Sequence, residues 1–269
     1  MKLTILSYNT LFAGRDGTDD RRMVAQIALI NERRPDIFLM QEAKGFEASG
    51  AALLHAFEAK IGMRGFLALA PRTGQNTAIF IRDPLKPIAF ESDSSNFHYA
   101  LAMLTVALPR SLQPLTLFSA HLCPNGAAIR RREAAYLAVQ ADPDRIALLT
   151  GDFNSVSPRD PEPGGFSDLP PHHRARYLGD DLAIADRSVL AGLEAAGWVD
   201  IGHQLSENAA PTVPTAGFSG TEFARMRCDF VLASRALARH AEHYEVIRTP
   251  ATDIASDHYP VLASFEITS

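Results

Sequence analysis

Asn9, Glu42, His121, Asp152, Asn154, Asp229, Asp257 and His258 have one placement in common: each stands at or beside the end of a short, β-like run of apolar residues. An isolated charge or amide buried at a strand end is penalised for the water it loses, so eight such placements make sense only if the groups meet. Together they supply carboxylates, carboxamides and imidazoles. Carboxylate oxygens suit a hard divalent cation, and a carboxylate or imidazole can orient water or hold an anionic oxygen. Those are the needs of phosphoester hydrolysis, in which phosphate charge must be neutralised, water activated and the departing oxygen stabilised.

The elements that carry these groups follow from hydropathy. Residues 2 to 8 form a strand that opens at Asn9 into a loop containing Gly14 and Gly17. Met23, Ile27 and Ile30 mark a helix with Asp19 and Asp20 as N-cap candidates and Pro35 as its stop. Ile37 to Met40 is a buried strand delivering Gln41 and Glu42, and a helix is expected over about 47 to 61. Strands follow at about 65 to 70, 76 to 82, 86 to 91, 99 to 108 and 115 to 120, as in a largely antiparallel sheet. Ile129, Tyr136 and Leu137 mark the apolar face of a further helix, opposite Arg130, Arg131 and Arg132. The strand Ile146 to Leu149 runs into Gly151-Asp152-Phe153-Asn154, where a two-residue spacing puts Asp152 and Asn154 on one side if strand geometry persists.

From 155 to 181 the character changes: five prolines, three glycines and the adjacent His172 and His173 make a long irregular loop that could cover a cleft. Asp186 can cap a helix carrying Val189, Leu190 and Leu193 and ending at Gly197, with Trp198 and Val199 buried beyond it. Strands at about 228 to 233, 242 to 248 and 259 to 267 complete the chain.

With 269 residues, 46% hydrophobic and 21% charged, the chain is long enough for one sizeable core, and a single domain over 1–269 is expected. A net charge of −5 provides no general attraction to a phosphate backbone. Two cysteines, Cys123 and Cys228, make no disulfide framework or zinc spacing, and MKLTILSYNT reads as a strand rather than a signal peptide. No apolar run reaches membrane-spanning length, so a reduced, cytoplasmic protein without membrane partners is expected.

Six segments, in order LSYNT (6–10), MQEAK (40–44), SAHL (119–122), TGDFNS (150–155), RCDFVLAS (227–234) and SDHYPV (256–261), resemble the endonuclease/exonuclease/phosphatase superfamily, which includes DNase I-like and exonuclease III-like enzymes. The resemblance spans nearly the whole chain. It implies a four-layer α/β/β/α sandwich of two mixed, largely antiparallel sheets. It implies Mg²⁺ or Mn²⁺ on Glu42, with Asp257 and Asn9 beside it. Asp152 would orient or deprotonate water and Asn154 would bond a phosphate oxygen, while His258, its other ring nitrogen held by Asp229, would contact the phosphate. His121 resembles the family's second histidine, which assists at the phosphate or the leaving group.

Two departures, Cys228 in place of an aliphatic residue and the spacing of His121-Leu122-Cys123-Pro124-Asn125, turn the reading away from abasic-site repair. The expectation is a divalent-metal-dependent phosphodiesterase or phosphomonoesterase. The alternatives are a DNA or RNA nuclease, and a non-hydrolytic or repurposed protein on the same fold. Arg130 to Arg132 read as a solvated helix face, with Arg130 the phosphate contact if the run is an anion patch instead. His172 and His173 with Asp180 and Asp181 lack ligand spacing and read as surface loop. His55, His98, His203, His240 and His243 lie in no motif and are assigned no role.

Overall fold

The computed structural model describes residues 1–109, 113–206, 209–220 and 222–267. Twelve strands among them form two six-stranded sheets. The first sheet combines β1 (Lys2–Asn9), β2 (Ile37–Gln41), β3 (Arg64–Ala68), β4 (Thr77–Ile81), β11 (Ala241–Val246) and β12 (Val261–Glu266) in the order β11-β12-β1-β2-β4-β3. The second combines β5 (Lys86–Asp93), β6 (Leu101–Ala107), β7 (Leu115–His121), β8 (Ala147–Asp152), β9 (Val199–Asp200) and β10 (Asp229–Ala233) in the order β5-β6-β7-β8-β10-β9. In each sheet one adjacent pair is parallel, β1 with β2 and β7 with β8, and the other pairs are antiparallel.

The central strands are apolar on both faces because both faces are covered. Ile5, Ile37, Leu39 and Ile79 of the first sheet meet Leu104, Leu117, Leu148 and Val231 of the second in the core between the sheets. The alternate residues Leu6, Phe38, Met40 and Phe80 point the other way, under α1 (Arg21–Arg33) and α2 (Ala48–Ile61). Phe118, Leu149 and Phe230 likewise lie under α3 (Ala127–Ala138) and, after the short α4 (Pro171–Arg174), α5 (Ser188–Ala196). The result is the four-layer α/β/β/α sandwich that the resemblance implies.

One expectation needs correction. On α3 the inward face is Ala127, Arg130, Glu133, Ala134 and Leu137, whereas Ile129 and Tyr136 are 38% and 43% exposed. Hydropathy misplaces this face because two of its members are charged and held by loops. Glu133 accepts the backbone N–H of His98 (2.6 Å) and Cys123 (2.8 Å). Arg130, 0% exposed, donates to Ser155 Oγ and to the carbonyls of Cys123 and Arg176. Arg130 is therefore not solvated, and its guanidinium is held by protein acceptors.

The segment 155 to 181 is largely irregular, with only a short turn at Phe166–Asp168 and the four-residue α4, but it is packed. Val156, Phe166 and Tyr177 pack with Ala185, Val213, Ala224, Met226 and Cys228 in a small core of their own. Asp160 fastens it from below, paired with His203 (2.7 Å) and Arg227 (3.1 Å), while Arg227 also grips Asp200 at 2.6 Å. The two-residue β9 that carries Asp200 is too short to leave a periodic signal.

Candidate active site

Strand register explains why the distant polar residues converge. In the second sheet Asp152 is directly opposite His121 on β7 and Asp229 on β10, so three strand ends present three ionisable groups in one row. Gly151 makes this approach possible. Its φ is +141°, and a Cβ there would come within 1.9 Å of the Ala120 carbonyl oxygen. In the first sheet Asn9 is opposite Gln41, which leaves Glu42 as the next residue beyond the strand. Gln41 reaches across to Ser119 Oγ at 3.1 Å, tying the two sheets together just below the cleft.

Past the strand ends the backbone turns sharply. Glu42 and Asn154 have φ of +62° and +47°, conformations that non-glycine residues hold only when their surroundings impose them, and which cluster at functional sites. For Asn154 the strand geometry does not persist. Its backbone N–H donates to Asp152 Oδ1 (2.8 Å) and its side-chain amide to the Leu122 carbonyl (3.1 Å).

Asp152 is the hub. Its Oδ2 accepts from Asn9 Nδ2 at 3.0 Å and lies 3.3 Å from His121 Nε2 and 3.6 Å from His258 Nε2. The opposite ring nitrogen of His258 bonds Asp229 Oδ2 at 2.9 Å. Burial alone would lower the pKa of His258, but Asp229 and Asp152 together hold it well above the usual histidine value, which favours the imidazolium form. His121 behaves oppositely. Burial pushes it down to about 4 despite Asp152, leaving it neutral, with Nδ1 buried and unpaired and the Tyr99 ring 4.0 Å away.

Glu42 forms the other wall. Its carboxylate accepts from the Phe12 backbone (2.9 Å) and Asn9 Nδ2 (3.3 Å). Asn9 thus bridges Glu42 and Asp152 as a donor, and its side-chain Oδ1 accepts from the Leu11 N–H. Burial, with Asp257 and Asp152 nearby, raises Glu42 to about 7 despite the Phe12 N–H and the His258 charge. Hard oxygen donors and crowded negative charge fit a divalent cation. Asp152, Asp229 and His258 also lie close enough together to hold an ion, but a protonated ring already bonded to Asp229 makes a poor ligand.

A supporting strip completes the site. Thr212 Oγ1 accepts from the backbone of Cys228 and Asp229, and its carbonyl accepts from Tyr259. Thr215 bonds the carbonyls of Ser256 and Asp257, and Ser256 Oγ donates to the Asn9 carbonyl at 2.7 Å. Thr212 and Thr215 carry no motif of their own, whereas Ser256 and Tyr259 fall within SDHYPV beside the Asp257-His258 pair. Tyr99, Arg176, Glu222 and Phe223 also line the cleft unanticipated, because loops from separate parts of the chain bring them there.

The cleft they enclose is about 170 Å³. His172, His173 and Asp180 stay outside its lining, as does Arg130. Among the described residues no helix is long and apolar enough to cross a membrane.

The endonuclease/exonuclease/phosphatase family model matches residues 6–258. No curated protein matches the sequence. Solved structures match over nearly the full length. An AP endonuclease from Archaeoglobus fulgidus is 20% identical, with 98% of this chain and 100% of that one covered and a TM-score of 0.71. D. rerio TDP2 complexed with a single-strand DNA product is 19% identical, with 99% of each chain covered and a TM-score of 0.68. An endonuclease/exonuclease/phosphatase protein from Bacteroides vulgatus is 13% identical, with both chains fully covered and a TM-score of 0.71. At these identities the likeness concerns the fold.

Proposed function

Since the chain belongs to the endonuclease/exonuclease/phosphatase family, we propose that it is a divalent-metal-dependent phosphoesterase that hydrolyses a phosphodiester or phosphomonoester. The observation that carries this reading is Asp152, whose Oδ2 faces Asn9, His121 and His258 at 3.0, 3.3 and 3.6 Å while Asp229 backs His258. Glu42 and Asp257 would hold Mg²⁺ or Mn²⁺ with Asn9 beside them, its amide donating to both Glu42 and Asp152 and so linking the metal side to the water side. When bound, the ion would neutralise phosphate oxygens and the developing charge on the leaving oxygen.

The protein groups divide the remaining work. Asp152 orients or deprotonates the water that attacks phosphorus in line with the departing ester oxygen. His258 donates from Nε2 to a phosphate oxygen, a role that needs the imidazolium maintained by Asp229. Neutral His121, with Nε2 3.3 Å from Asp152 Oδ2, would assist at the phosphate or the leaving group. Asn154 retains one amide hydrogen beyond its bond to Leu122 and offers it to the phosphate.

A cleft of about 170 Å³ is below the several hundred Å³ usual for larger ligands and suits a phosphate on a compact alcohol. The net charge of −5 favours the same class. Nuclease activity is the second reading, supported by Phe12, part-exposed at the cleft with the Lys44 ammonium 4.6 Å from its ring centre, a surface on which a base could stack. We read residues 1–269 as one domain, because the site draws on both ends of the chain. A reducing, cytoplasmic setting suits the free, buried Cys123 and Cys228.

The test is hydrolysis of a chromogenic phosphodiester, phosphomonoesters, oligonucleotides and plasmid in Mg²⁺, Mn²⁺ or EDTA. Metal-dependent turnover of at least one supports the reading, and no turnover of any overturns it.

A further inference from the structure

Acidic groups crowd the cleft, where Glu42, Asp152, Asp257 and Glu222 face a space meant, on the reading above, for an anion. Among the described residues lining it, Arg176 is the one arginine or lysine. Its side chain is 16% exposed and well anchored: Nε donates to the Pro124 carbonyl at 3.1 Å, and the guanidinium lies 5.6 Å from the centre of the Tyr177 ring. Arg130, from beneath, donates to the Arg176 backbone carbonyl at 2.9 Å and approaches the same tyrosine ring at 6.0 Å. Burying Arg130 thus gives Arg176 a fixed base.

The cleft-side end of Arg176 is paired with Glu222, which is 42% exposed and lies 3.8 Å from His173 as well. A half-exposed carboxylate is a weak, salt-screened partner. A phosphate offers more charge and a fork-matching pair of oxygens, so it competes well for a guanidinium held in place beforehand. The next residue, Phe223, packs edge-on against the His258 ring at 5.3 Å, so displacement of Glu222 would be felt beside the catalytic imidazolium.

We propose that Arg176 is a substrate-binding residue that takes an anionic oxygen of the phosphoester, and that Glu222 is a stand-in carboxylate occupying it until substrate arrives. This rests on the phosphoesterase reading for its biological meaning, but its test does not require turnover. Arg130 is the positioning residue that keeps the backbone of Arg176 in register with the cleft.

Inorganic phosphate is the probe, with binding followed by calorimetry and by thermal shift on the full chain, both metal-free and with Mg²⁺. Arg176→Ala should weaken phosphate binding by about 10-fold or more, as expected for loss of a charged hydrogen-bond donor. Glu222→Gln, which keeps the shape of the side chain and removes its charge, should tighten binding several-fold. Where an ester is turned over, Arg176→Ala should raise KM more than it lowers kcat. Wild-type phosphate affinity in Arg176→Ala, weaker binding in Glu222→Gln, or no phosphate binding by the wild type would each overturn the proposal. If Arg176→Ala does not fold, Arg176→Gln and Glu222→Gln decide the same question. Phosphate binding that depends on Arg176 without hydrolysis of any ester would leave this assignment standing and remove the phosphoesterase. Hydrolysis with Arg176→Ala unchanged would do the reverse.

Discussion

Asp229 makes a single short contact with His258, yet the charge state of the site depends on it, because burial would otherwise strip the imidazole of its proton. Asp229→Asn should lower kcat by about 10²- to 10⁴-fold, the range for a lost acid–base partner. It should also move the alkaline fall in rate to lower pH, since the ring then loses its proton more easily. A pH–rate profile that matches the wild type would count against the dyad. Glu42 gives a second prediction of opposite sign. With its carboxyl raised from 4.5 to about 7, the metal-free folded state binds more protons than the unfolded chain within that window, so stability falls as pH rises through it. A Mg²⁺ ion bound at Glu42, as proposed, would have to displace that proton. Binding near pH 6 should release about one proton per ion and strengthen toward neutral pH, and Glu42→Gln should abolish the release. Calorimetry in two buffers of different ionisation enthalpy measures it. The motif residues of the site were legible in sequence because each stands at or beside one end of a β-like run. The side-chain roles were less so: the turn at Asn154, the donor role of Asn9 and the neutral state of His121 depend on neighbours supplied by other strands. Arg176 was illegible because only the folding of 155 to 181 brings it to the cleft.

At the scale of elements, close strand approach and buried ion pairs fix the geometry. Gly151→Ala should cost about 3 kcal/mol or more, because the new methyl would meet a backbone carbonyl of β7 rather than a movable side chain. Denaturant unfolding reads this directly, and near-wild-type stability would show that β7 and β8 are less closely held. Arg227, buried between Asp160 and Asp200, anchors the long excursion after β8 to the second sheet. Arg227→Ala should destabilise by about 3–5 kcal/mol, as when one partner of a buried pair is removed. The central strands were readable from apolar runs covered on both sides, whereas the two-residue β9 left no such run. The inward face of α3 was not, since Arg130 and Glu133 are buried there by hydrogen bonds from loops that hydropathy does not register.

For the whole molecule, charge and cleft size bear on the choice of substrate. A net charge of −5 and a cleft of about 170 Å³ fit a compact phosphoester. Between 50 and 200 mM salt, kcat/KM on the best substrate should therefore change by less than about 10-fold, whereas a protein gripping 6–10 backbone phosphates would lose about 10³–10⁵ in affinity. A steep loss would favour the nuclease reading. The claim beneath all of these is that Asp152 is the hub of a metal-dependent phosphoesterase. The most direct test is the rate on the best phosphoester with Mg²⁺ or Mn²⁺ for the wild type and Asp152→Asn, which keeps the shape of the side chain. A rate abolished by EDTA and reduced by about 10²- to 10⁴-fold in the variant is the predicted result. Equal rates for the two proteins, or turnover indifferent to EDTA, would contradict it.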